Sequence, residues 1–546
     1  MIYFTTLLLS LFITSSLIPL LKGCAVKMNV LDMPDERKAH LKPMPKMGGI
    51  AMALGAVLPV LFWIEWTPFT RSILLGAGII VCGGFIDDLN NLSYKKKFFI
   101  QFIAACLVVF HGKVVIKSFG MLLPEGMLTP DFVAIPFTLI VIIGVTNAIN
   151  LADGLDGLAG GISLLSFLCI GYLGHQGGYF EITLISLAIG GAIFGFLRFN
   201  TYPAIVFMGD AGSQLLGFLV VTLSLALTQT NAPLSPVLPL LIIGFPILDT
   251  LAVMSERMIH KKSPFSPDKN HFHHKFMRLG FYHTEAVFVI YLLQAFLVTT
   301  AFVLRFYSDW LLLIFYLIFS GVILGGFWFA DVTCWQFTRI DFLDKIIKGR
   351  LKVLKEKNIL IKISFRLLKI SIPLLLFFTC FLPAQISRSF AFFTIFELLT
   401  IAITAFAKKA WLTRVVHILL FFLIPITVYQ SEVITVSWLS GGFLRFYNLF
   451  FLLLVVFVTF TLKFTLRRKG FKTSTLDFLI LFIALVVPNL PDPRIQSYHM
   501  GLLATKIVIF FFSYEVLIGE LRNDNRWLTA TTSASLLVIA IRGLAG

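Results

Sequence analysis

The fold of this chain is decided by the stretch Ile140-Val-Ile-Ile-Gly-Val-Thr-Asn147-Ala-Ile-Asn150-Leu-Ala-Asp153-Gly-Leu-Asp156-Gly157-Leu-Ala-Gly-Gly-Ile-Ser-Leu-Leu165. Two apolar runs flank a short polar segment, and the apolar residues do not alternate with polar ones as they do in a membrane β-barrel. A helical span needs roughly 17 to 25 mainly apolar residues, and the apolar runs of this chain are close to that length. The stretch therefore predicts two transmembrane helices joined at a polar turn.

The composition extends this prediction to the whole chain. Of its 546 residues, 58% are hydrophobic, only 13% are charged and 58 are Phe, which exceeds what a soluble core needs. The first apolar run, Met1 to Leu21, has no preceding basic residue and no small-residue cleavage site, so we interpret it as a retained helix. The six cysteines are dispersed without a Cys-x-x-Cys pair, which indicates neither a disulfide framework nor a zinc site. We predict an all-α, polytopic transmembrane helical bundle.

The apolar runs divide the chain into two modules. The first, 1–330, contains about eleven predicted helices, at 2–21, 46–64, 71–86, 98–112, 132–146, 160–174, 181–199, 212–228, 234–251, 286–306 and 310–330. A basic, amphipathic linker is predicted at 331–368, on the cytoplasmic membrane surface. The second module, 369–546, contains about six or seven further spans, near 369–387, 389–406, 413–428, 441–462, 474–489, 500–518 and 527–545, and we identify no catalytic constellation in it.

The formal charge of +17 follows a membrane pattern. Lys and Arg concentrate in the loops 22–45, 87–97 and 252–285, which the positive-inside rule places in the cytoplasm. The loops 147–159 and 200–211 fall on the same side because an even number of predicted spans separates them from these loops. We therefore expect no nucleic-acid partner and an N-terminus outside. Every polar cluster that could perform chemistry lies in one of these loops, which predicts a single site at the cytoplasmic face.

The pair Asp87-Asp88 follows an apolar helix and places two adjacent carboxylates at the bilayer surface. Burial and mutual repulsion would raise the pKa of one of them. The alternative is a solvated cap at a helix end. Lys97 opens the next predicted helix, where its charge could balance the pair or meet a phosphate.

The polar turn has the spacing of a ligand-binding helix face. Asn147, Asn150 and Asp153 recur at helical spacing, and the neighbouring glycines allow close approach of a ligand. Hard oxygen ligands of this kind suit Mg²⁺, which completes its shell with water and substrate phosphate. The alternative is a polar helix cap. Asp210 precedes another apolar run, either as an N-cap or as a second metal ligand.

Two basic segments are candidates for anion binding. The loop 252–285 contains Arg257 and three histidines, His271, His273 and His274. A zinc site is an alternative, but no Cys or regularly spaced carboxylate completes a tetrahedral set. The N-terminal loop contains Arg37, Lys38 and His40, which could hold a lipid phosphate or a product anion, or bind acidic head groups.

Together these residues resemble the polyprenyl-phosphate N-acetylhexosamine-1-phosphate transferases. The resemblance covers about residues 1–330 and follows the family order of motifs, which are Asp32-x-Pro-x-x-Arg37-Lys38-x-His40, Asp87-Asp88, Asn147-x-x-Asn150-x-x-Asp153-Gly-x-Asp156-Gly157, Phe207-Met-Gly-Asp210-x-Gly-Ser213 and Asp268-Lys-x-His271-x-His273-His274. The 331–546 region lies outside the family's usual extent.

The resemblance implies a reaction and a role for each residue. An N-acetylhexosamine 1-phosphate passes from a UDP-sugar to undecaprenyl phosphate, UMP is released, and a lipid-linked surface glycan such as O-antigen, capsule or another cell-wall polysaccharide is begun. It implies Mg²⁺, with Mn²⁺ as an alternative, held by Asn150 and Asp210. It implies that Asp87, Asp88 and Asp210 are catalytic, with Asp87 and Asp88 beside the lipid phosphate and with Asp153 and Asp156 at the nucleotide. The substrate contacts that it implies are Arg37, Lys38, His40, Lys97, Asn147, Arg257, His271, His273 and His274.

The donor sugar and the competing functions remain open at this level. The His-x-His-His pattern after Asp268 looks like the branch that uses UDP-N-acetylglucosamine, and less like the branch acting on UDP-muramoyl-pentapeptide. A CDP-alcohol phosphatidyltransferase is a weaker alternative, because Asp156-Gly157 lacks a following Ala-Arg. A non-catalytic transporter or glycan scaffold is the other class. The expected setting is the bacterial cytoplasmic membrane, with membrane lipids as partners and a homodimer as a candidate assembly.

Overall fold

The computed structural model describes residues 2–33, 43–124, 126–229, 234–263, 270–336, 359–407, 409–433, 441–464, 500–520 and 526–545. The described residues up to 336 form one compact unit, and those from 359 onward form another. Among the described residues, nine helices are long and apolar enough to cross a membrane. The protein is a multi-pass membrane protein, and the predicted all-α polytopic bundle is confirmed.

The first unit contains thirteen described α-helices and one two-stranded antiparallel sheet. Its helices are α1 Ile2–Lys27, α2 Gly48–Leu61, α3 Pro68–Asn90, α4 Tyr94–Cys106, α5 Asp131–Ala152, α6 Leu158–Gln176, α7 Phe180–Asn200, α8 Gly209–Gln229, α9 Leu238–Ile242, α10 Gly244–Ile259, α11 Phe272–Arg278, α12 His283–Val303 and α13 Asp309–Val332. Its strands are β1 Leu31–Asp32 and β2 Met44–Pro45. A π-helical turn, Leu107–His111, continues α4, and a 3₁₀ turn spans Gly120–Leu122.

The span predicted at 234–251 is interrupted in the structure. Ile243 leaves the helical conformation between α9 and α10, and Pro246 lies in the first turn of α10, where its missing N–H is tolerated. The carbonyl of Ile242 is released from helical bonding. It accepts hydrogen bonds from Ser166 Oγ at 2.7 Å and Gln294 Nε2 at 2.6 Å, so this carbonyl is not left unpaired at the break.

Helix α8 is the centre of the first unit, and its apolar window is entirely buried. Small residues allow other helices to approach its N-terminal half closely, as is common between membrane helices. A Cβ built on Gly84 of α3 would lie 2.5 Å from Ala211 Cα, and one built on Gly49 of α2 would overlap the Gly212 nitrogen. The C-terminal end of α3 and the N-terminal end of α2 are thereby held against the start of α8.

The strand pair β1–β2 adds a third element at this place. Leu31 pairs with Pro45, and Phe207 N–H donates to Pro45 O at 2.8 Å. Gly48 N–H and Gly49 N–H donate to Phe207 O and Met208 O, at 3.0 and 2.8 Å. The segment entering α2 is therefore attached to the segment entering α8 by backbone hydrogen bonds.

The second unit contains six described helices, α14 Ile359–Thr379, α15 Arg388–Ala407, α16 Lys409–Val433, α17 Gly441–Phe464, α18 Met500–Glu520 and α19 Arg526–Ala545. Helix α14 begins ten residues before the run predicted near 369–387, inside the predicted linker 331–368. Most of that linker, and the span predicted at 474–489, lie outside the described residues. Arg542 of α19 donates to Cys380 O and Pro383 O, at 2.9 and 2.7 Å, and so caps the end of α14.

Candidate active site

Asp88, at the end of α3, caps the start of α8. Its Oδ1 accepts a hydrogen bond from Asp210 N at 3.1 Å, and its Oδ2 accepts one from Ala211 N at 3.2 Å. The first N–H groups of a helix have no helical acceptor, so a carboxylate there is stabilising. Gly209 has φ +69°, and a Cβ on it would collide with the Asp88 carboxylate. The N-cap considered for Asp210 is therefore supplied by Asp88, and the Asp210 side chain is left for other contacts.

Lys97 connects two of the predicted catalytic carboxylates. Its Nζ forms an ion pair with Asp87 and lies 3.2 Å from Asp210 Oδ2. Asp87 Oδ1 also accepts from Leu92 N at 2.7 Å, which fixes the side chain over the turn after α3. The structure thus joins Asp87 and Asp210, which are far apart in sequence, through one ammonium group. Lys97 is still about one-third exposed, at 32%, so a phosphate can reach it.

The predicted metal pair, Asn150 and Asp210, is in direct contact. Asn150 Nδ2 donates to Asp210 Oδ1 and to Ser213 Oγ, both at 2.7 Å. A cation between Asn150 and Asp210 would replace the first of these hydrogen bonds. Asn150 lies in the last turn of α5 and Asp210 in the first turn of α8, so the contact joins two helix ends.

Asn147 belongs to a different group from Asn150, although both lie on α5. Its Nδ2 donates to Gln101 Oε1 at 2.7 Å, and Gln101 Nε2 donates in turn to Gln214 Oε1 at 3.0 Å. These three amides join α4, α5 and α8 below the carboxylates. Gln101 and Gln214 were absent from the sequence prediction, although a glutamine inside an apolar span is a signal of an interhelical hydrogen bond.

Lys46 is a second cation that the sequence prediction omitted. Its Nζ lies 2.9 Å from Asp32 Oδ1 and 4.0 Å from Asp88 Oδ1. It directly follows strand β2, so the strand pairing places it at the cluster. The predicted substrate contacts Arg37, Lys38 and His40 lie outside the described residues.

The turn after α5 contains two aspartates with different surroundings. Asp156 Oδ2 accepts from Ala204 N at 2.9 Å, and Asp156 N–H donates to His283 Nε2 at 3.2 Å. Asp156 therefore attaches the turn to the 201–208 segment and to α12. Burial raises the pKa of Asp153 to about 8, and the negative charges of Asp210, Asp156, Asp88 and Asp32 add to this effect.

The histidine segment is held by a residue that the sequence prediction missed. Asp249 of α10 places Oδ2 3.0 Å from His271 Nδ1, and its Oδ1 accepts from Phe272 N at 2.7 Å. Asp249 lay within the span predicted at 234–251 and was counted as part of an apolar helix. Arg257 is buried in the last turn of the same helix.

His273 connects the histidine segment to the aspartate turn. A Cβ built on Gly154 would overlap the His273 ring, so the ring packs directly on the backbone beside Asp153. Burial lowers the pKa of His273 well below its ordinary value, and the neighbouring His274, His271 and His283 contribute in the same direction. The His274 ring centroid is 4.2 Å from that of His273. The structure thus brings the predicted 87–88, 97, 147–157, 210 and 271–274 residues into one connected region.

The donor set of this region fits a magnesium ion. Among the described residues of the region, Lys46 pairs with Asp32 and Asp88, Lys97 pairs with Asp87 and Asp210, and Asp153 and Asp156 lie nearby. No three His, Cys, Asp or Glu side chains of the described residues are arranged to hold a metal ion. Mg²⁺ is usually bound by one or two protein groups together with water and substrate phosphate. Asp210 and Asn150 supply groups of that kind.

Comparison with known proteins identifies the family. Residues 70–228 match the model of glycosyl transferase family 4. A protein of Bacillus subtilis, named a probable undecaprenyl-phosphate N-acetylglucosaminyl 1-phosphate transferase, is 39% identical over 312 residues, which are 57% of this chain and 86% of that protein. The chain belongs to glycosyl transferase family 4.

Two further members of glycosyl transferase family 4 are similar in extent. The undecaprenyl-phosphate alpha-N-acetylglucosaminyl 1-phosphate transferase of Yersinia pestis is 34% identical, over 54% of this chain and 83% of its own length. The Escherichia coli K12 protein of the same name is 33% identical, over 58% and 88%. The family match at 70–228 includes Asp87, Lys97, Asn150 and Asp210, whereas Lys46, Asp249 and the histidines lie outside it.

Proposed function

We propose that this chain transfers N-acetylglucosamine 1-phosphate, or a closely related N-acetylhexosamine 1-phosphate, from a UDP-sugar to undecaprenyl phosphate and releases UMP. The observation that carries the proposal is the contact chain Asp87–Lys97–Asp210–Asn150, which joins the ends of α3 and α5 to the starts of α4 and α8. The relatives named above, each 33% to 39% identical, support the choice of donor and acceptor.

The reaction exchanges one phosphorus–oxygen bond for another. An oxygen of undecaprenyl phosphate forms a bond to the sugar-linked phosphorus of the UDP-sugar, and the bond from that phosphorus to the bridging oxygen breaks. UMP departs with the electron pair, and the lipid retains a sugar diphosphate. A phosphate monoester has a second pKa of about 6, so the acceptor is mostly dianionic at neutral pH and needs little deprotonation.

The residues of this cluster neutralise charge and position groups, and proton transfer is a smaller part of their role. Asp87 is engaged by Lys97 and by Leu92 N–H, which suits a carboxylate that orients a cation better than one that takes a proton. Lys97 would neutralise phosphate charge between the two substrates. Asp88 holds the start of α8, and thus the Asp210 backbone, in place.

We further propose that Asp210 and Asn150 hold Mg²⁺, with Mn²⁺ as an alternative, and that Asp153, which its raised pKa keeps mostly protonated at neutral pH, helps to shape the nucleotide pocket. The bound ion would neutralise charge on the diphosphate and hold its oxygens. The arrangement that supports this is the surplus of carboxylates around Asp153, whose pKa is raised to about 8 by burial and by four neighbouring aspartates.

The remaining residues are proposed to contact the substrates. His271, His273, His274 and Arg257 would meet the diphosphate or the sugar, and Asp156 would shape the nucleotide pocket through the turn that it fixes. The site would face the cytoplasm, where UDP-sugars are dissolved, because the loops that carry these residues contain most of the basic residues of the first unit. The membrane would be the bacterial cytoplasmic membrane, and the product would begin a surface glycan.

The test is UMP release by the purified full chain with undecaprenyl phosphate, Mg²⁺ and UDP-N-acetylglucosamine. Parallel reactions contain UDP-N-acetylgalactosamine or UDP-muramoyl-pentapeptide in place of that donor. We expect release with an N-acetylhexosamine donor, loss of release with EDTA and recovery with added Mg²⁺. Release with the pentapeptide donor alone would assign the chain to the peptidoglycan step, and release with none of the donors would contradict the proposal.

A further inference from the structure

Asp249 and His271 form a buried pair at the edge of the candidate site, and we propose that Asp249 is a positioning residue for the transferase reaction, acting through His271. The inference rests on the proposed function and adds to it a residue that lies outside the 70–228 family match. Both side chains are nearly inaccessible, with 4% of Asp249 and 5% of His271 exposed. A carboxylate so deeply buried is expensive unless both oxygens have donors.

Both oxygens of Asp249 have such donors. Oδ2 lies 3.0 Å from His271 Nδ1, and Oδ1 accepts from the backbone N–H of Phe272 at 2.7 Å. Two contacts to consecutive residues fix the orientation of the histidine ring as well as its position. The partner lies 22 residues away in sequence, on α10.

The contact determines which ring nitrogen of His271 can serve a substrate. An ionised carboxylate only accepts hydrogen bonds, so Nδ1 must carry the proton. Nε2 is then the nitrogen that can meet a substrate oxygen, as an acceptor when the ring is neutral and as a donor when the ring is protonated. A ring fixed in this orientation presents Nε2 to a neighbouring diphosphate, where a preorganised hydrogen-bonding group can stabilise developing charge.

The position of the ring also connects it to the aspartate turn. The His271 and His273 rings are nearly parallel, at an interplanar angle of 7° with centroids 5.9 Å apart. His273 packs in turn on Gly154, next to Asp153. Rotation of His271 would therefore disturb a row of rings that ends at the predicted nucleotide side of the site.

A purely structural role for Asp249 is the competing explanation, since its Oδ1 also caps the start of α11. Two substitutions separate the roles. Asp249→Asn keeps Oδ1 as an acceptor for the Phe272 N–H, but it turns an NH₂ group toward His271 and so favours the other tautomer of that ring. Asp249→Ser is too short for either contact and removes both.

The experiment measures kcat and KM for UDP-N-acetylglucosamine with the purified full chain, for Asp249→Ser, Asp249→Asn, His271→Ala and Asp249→Asn/His271→Ala. The control is Glu256→Gln, which removes a carboxylate from the same helix that contacts Asn270 and Lys275. We expect both Asp249 variants to lose about 10- to 100-fold in kcat, with KM changed by less than about threefold. The double variant should be no slower than His271→Ala, and Glu256→Gln should resemble the parent.

The outcomes are distinguishable. Parent-like activity of Asp249→Asn would reduce Asp249 to a helix cap and overturn the inference, as would additive losses in the double variant. A loss in Glu256→Gln equal to that in Asp249→Asn would have the same meaning. If Asp249→Asn fails to fold, His271→Ala, which leaves the Asp249–Phe272 contact in place, still decides, because parent-like kcat in that variant would overturn the inference. A parent that releases no UMP from any UDP-N-acetylhexosamine would overturn the proposed function, and this inference with it.

Discussion

An ion pair of the second unit and the carboxylate cluster of the first hold their charges in different ways. In the second unit, Glu432 of α16 pairs with Lys506 of α18, and the two side chains are only 13% and 4% exposed. The Lys506 ammonium also lies 4.6 Å from the Tyr447 ring centroid. This pair has one charge of each sign and is closed to solvent.

The carboxylate cluster of the first unit is more open. Among the described residues, Lys46 and Lys97 contact four aspartates, Asp32, Asp87, Asp88 and Asp210, and Lys97 and Asp210 remain 32% and 29% exposed. Buried unpaired charge is costly, whereas partly exposed charge is accessible to a ligand. The comparison separates charge used for packing from charge available to ligands.

The largest expected effect is on the open cluster. Asp210→Asn removes the carboxylate that contacts both Lys97 and Asn150, and we expect UMP release to fall by roughly 10³-fold, as for loss of a group that stabilises transition-state charge. The matched control is Asp131→Asn, at the opposite end of α5 from Asn150, which should keep parent activity. If Asp210→Asn were as active as the parent, the open cluster would not be needed for the reaction.

The closed pair should show the reverse behaviour. Lys506→Met leaves Glu432 buried without its partner, and we expect a loss of about 3 to 5 kcal/mol in the free energy of unfolding. Lys506→Met/Glu432→Gln should recover much of this loss, because no unpaired charge remains. Thermal unfolding in detergent measures both variants. If the single variant were as stable as the parent, the pair could not be a stabilising contact.

A smaller effect, of a few degrees in Tm, is expected from His273 as the pH falls. Burial lowers its pKa in the folded protein, so the unfolded chain takes up a proton near pH 6.5 while the folded protein does not. The stability that depends on neutral His273 is complete above that pH and is lost as the pH falls toward the lower folded pKa. His273→Gln should reduce the acid-induced fall in Tm relative to the parent, and an identical fall in both proteins would contradict this expectation.

The smallest effect should come from the exposed pair Lys117–Asp131. The two charged groups are 2.8 Å apart, but their side chains are 47% and 65% exposed. Surface ion pairs typically contribute about 0 to 1 kcal/mol, so Lys117→Gln should leave both Tm and UMP release close to those of the parent. A loss of stability comparable to that of Lys506→Met would show that solvent exposure does not determine how much an ion pair contributes to stability.

Much of the carboxylate cluster could be predicted from the sequence. Asp87, Asp88 and Asp210 adjoin apolar runs, so their shared end of the bundle follows from counting spans. The Asn150–Asp210 contact agrees with their predicted pairing, although whether they bind metal stays a prediction. The spacing of polar residues in the sequence could not show that Asn147 and Asn150 of α5, three residues apart, bond to different helices. Asn147 bonds to Gln101 of α4, and Asn150 bonds to Asp210 of α8.

Lys46 and Asp249 were missed for separate physical reasons. Lys46 reaches Asp32 and Asp88 through the pairing of two short strands, and strands of two residues carry no periodicity to detect. Asp249 is a single acid within an apolar run, and its partners lie 22 and 23 residues away across the basic loop. Pro246 is a sequence signal for the break at Ile243. The side chains that bond to the Ile242 carbonyl come from α6 and α12, which are distant in sequence, so the sequence alone could not identify them.

The close glycine contacts at the start of α8 fix the backbone around Asp88 and Asp210. Where Gly49 meets Gly212 and Gly84 meets Ala211, backbone touches backbone, so the spacing of Asp88 and Asp210 is independent of side-chain rotamers. The distance between Asp88 and Asp210, at the proposed phosphate end of the site, is thus set by backbone packing. The histidine segment, which we propose contacts the sugar or diphosphate, is instead positioned by side-chain contacts such as Asp249–His271, so substitutions there can alter sugar choice without changing that distance.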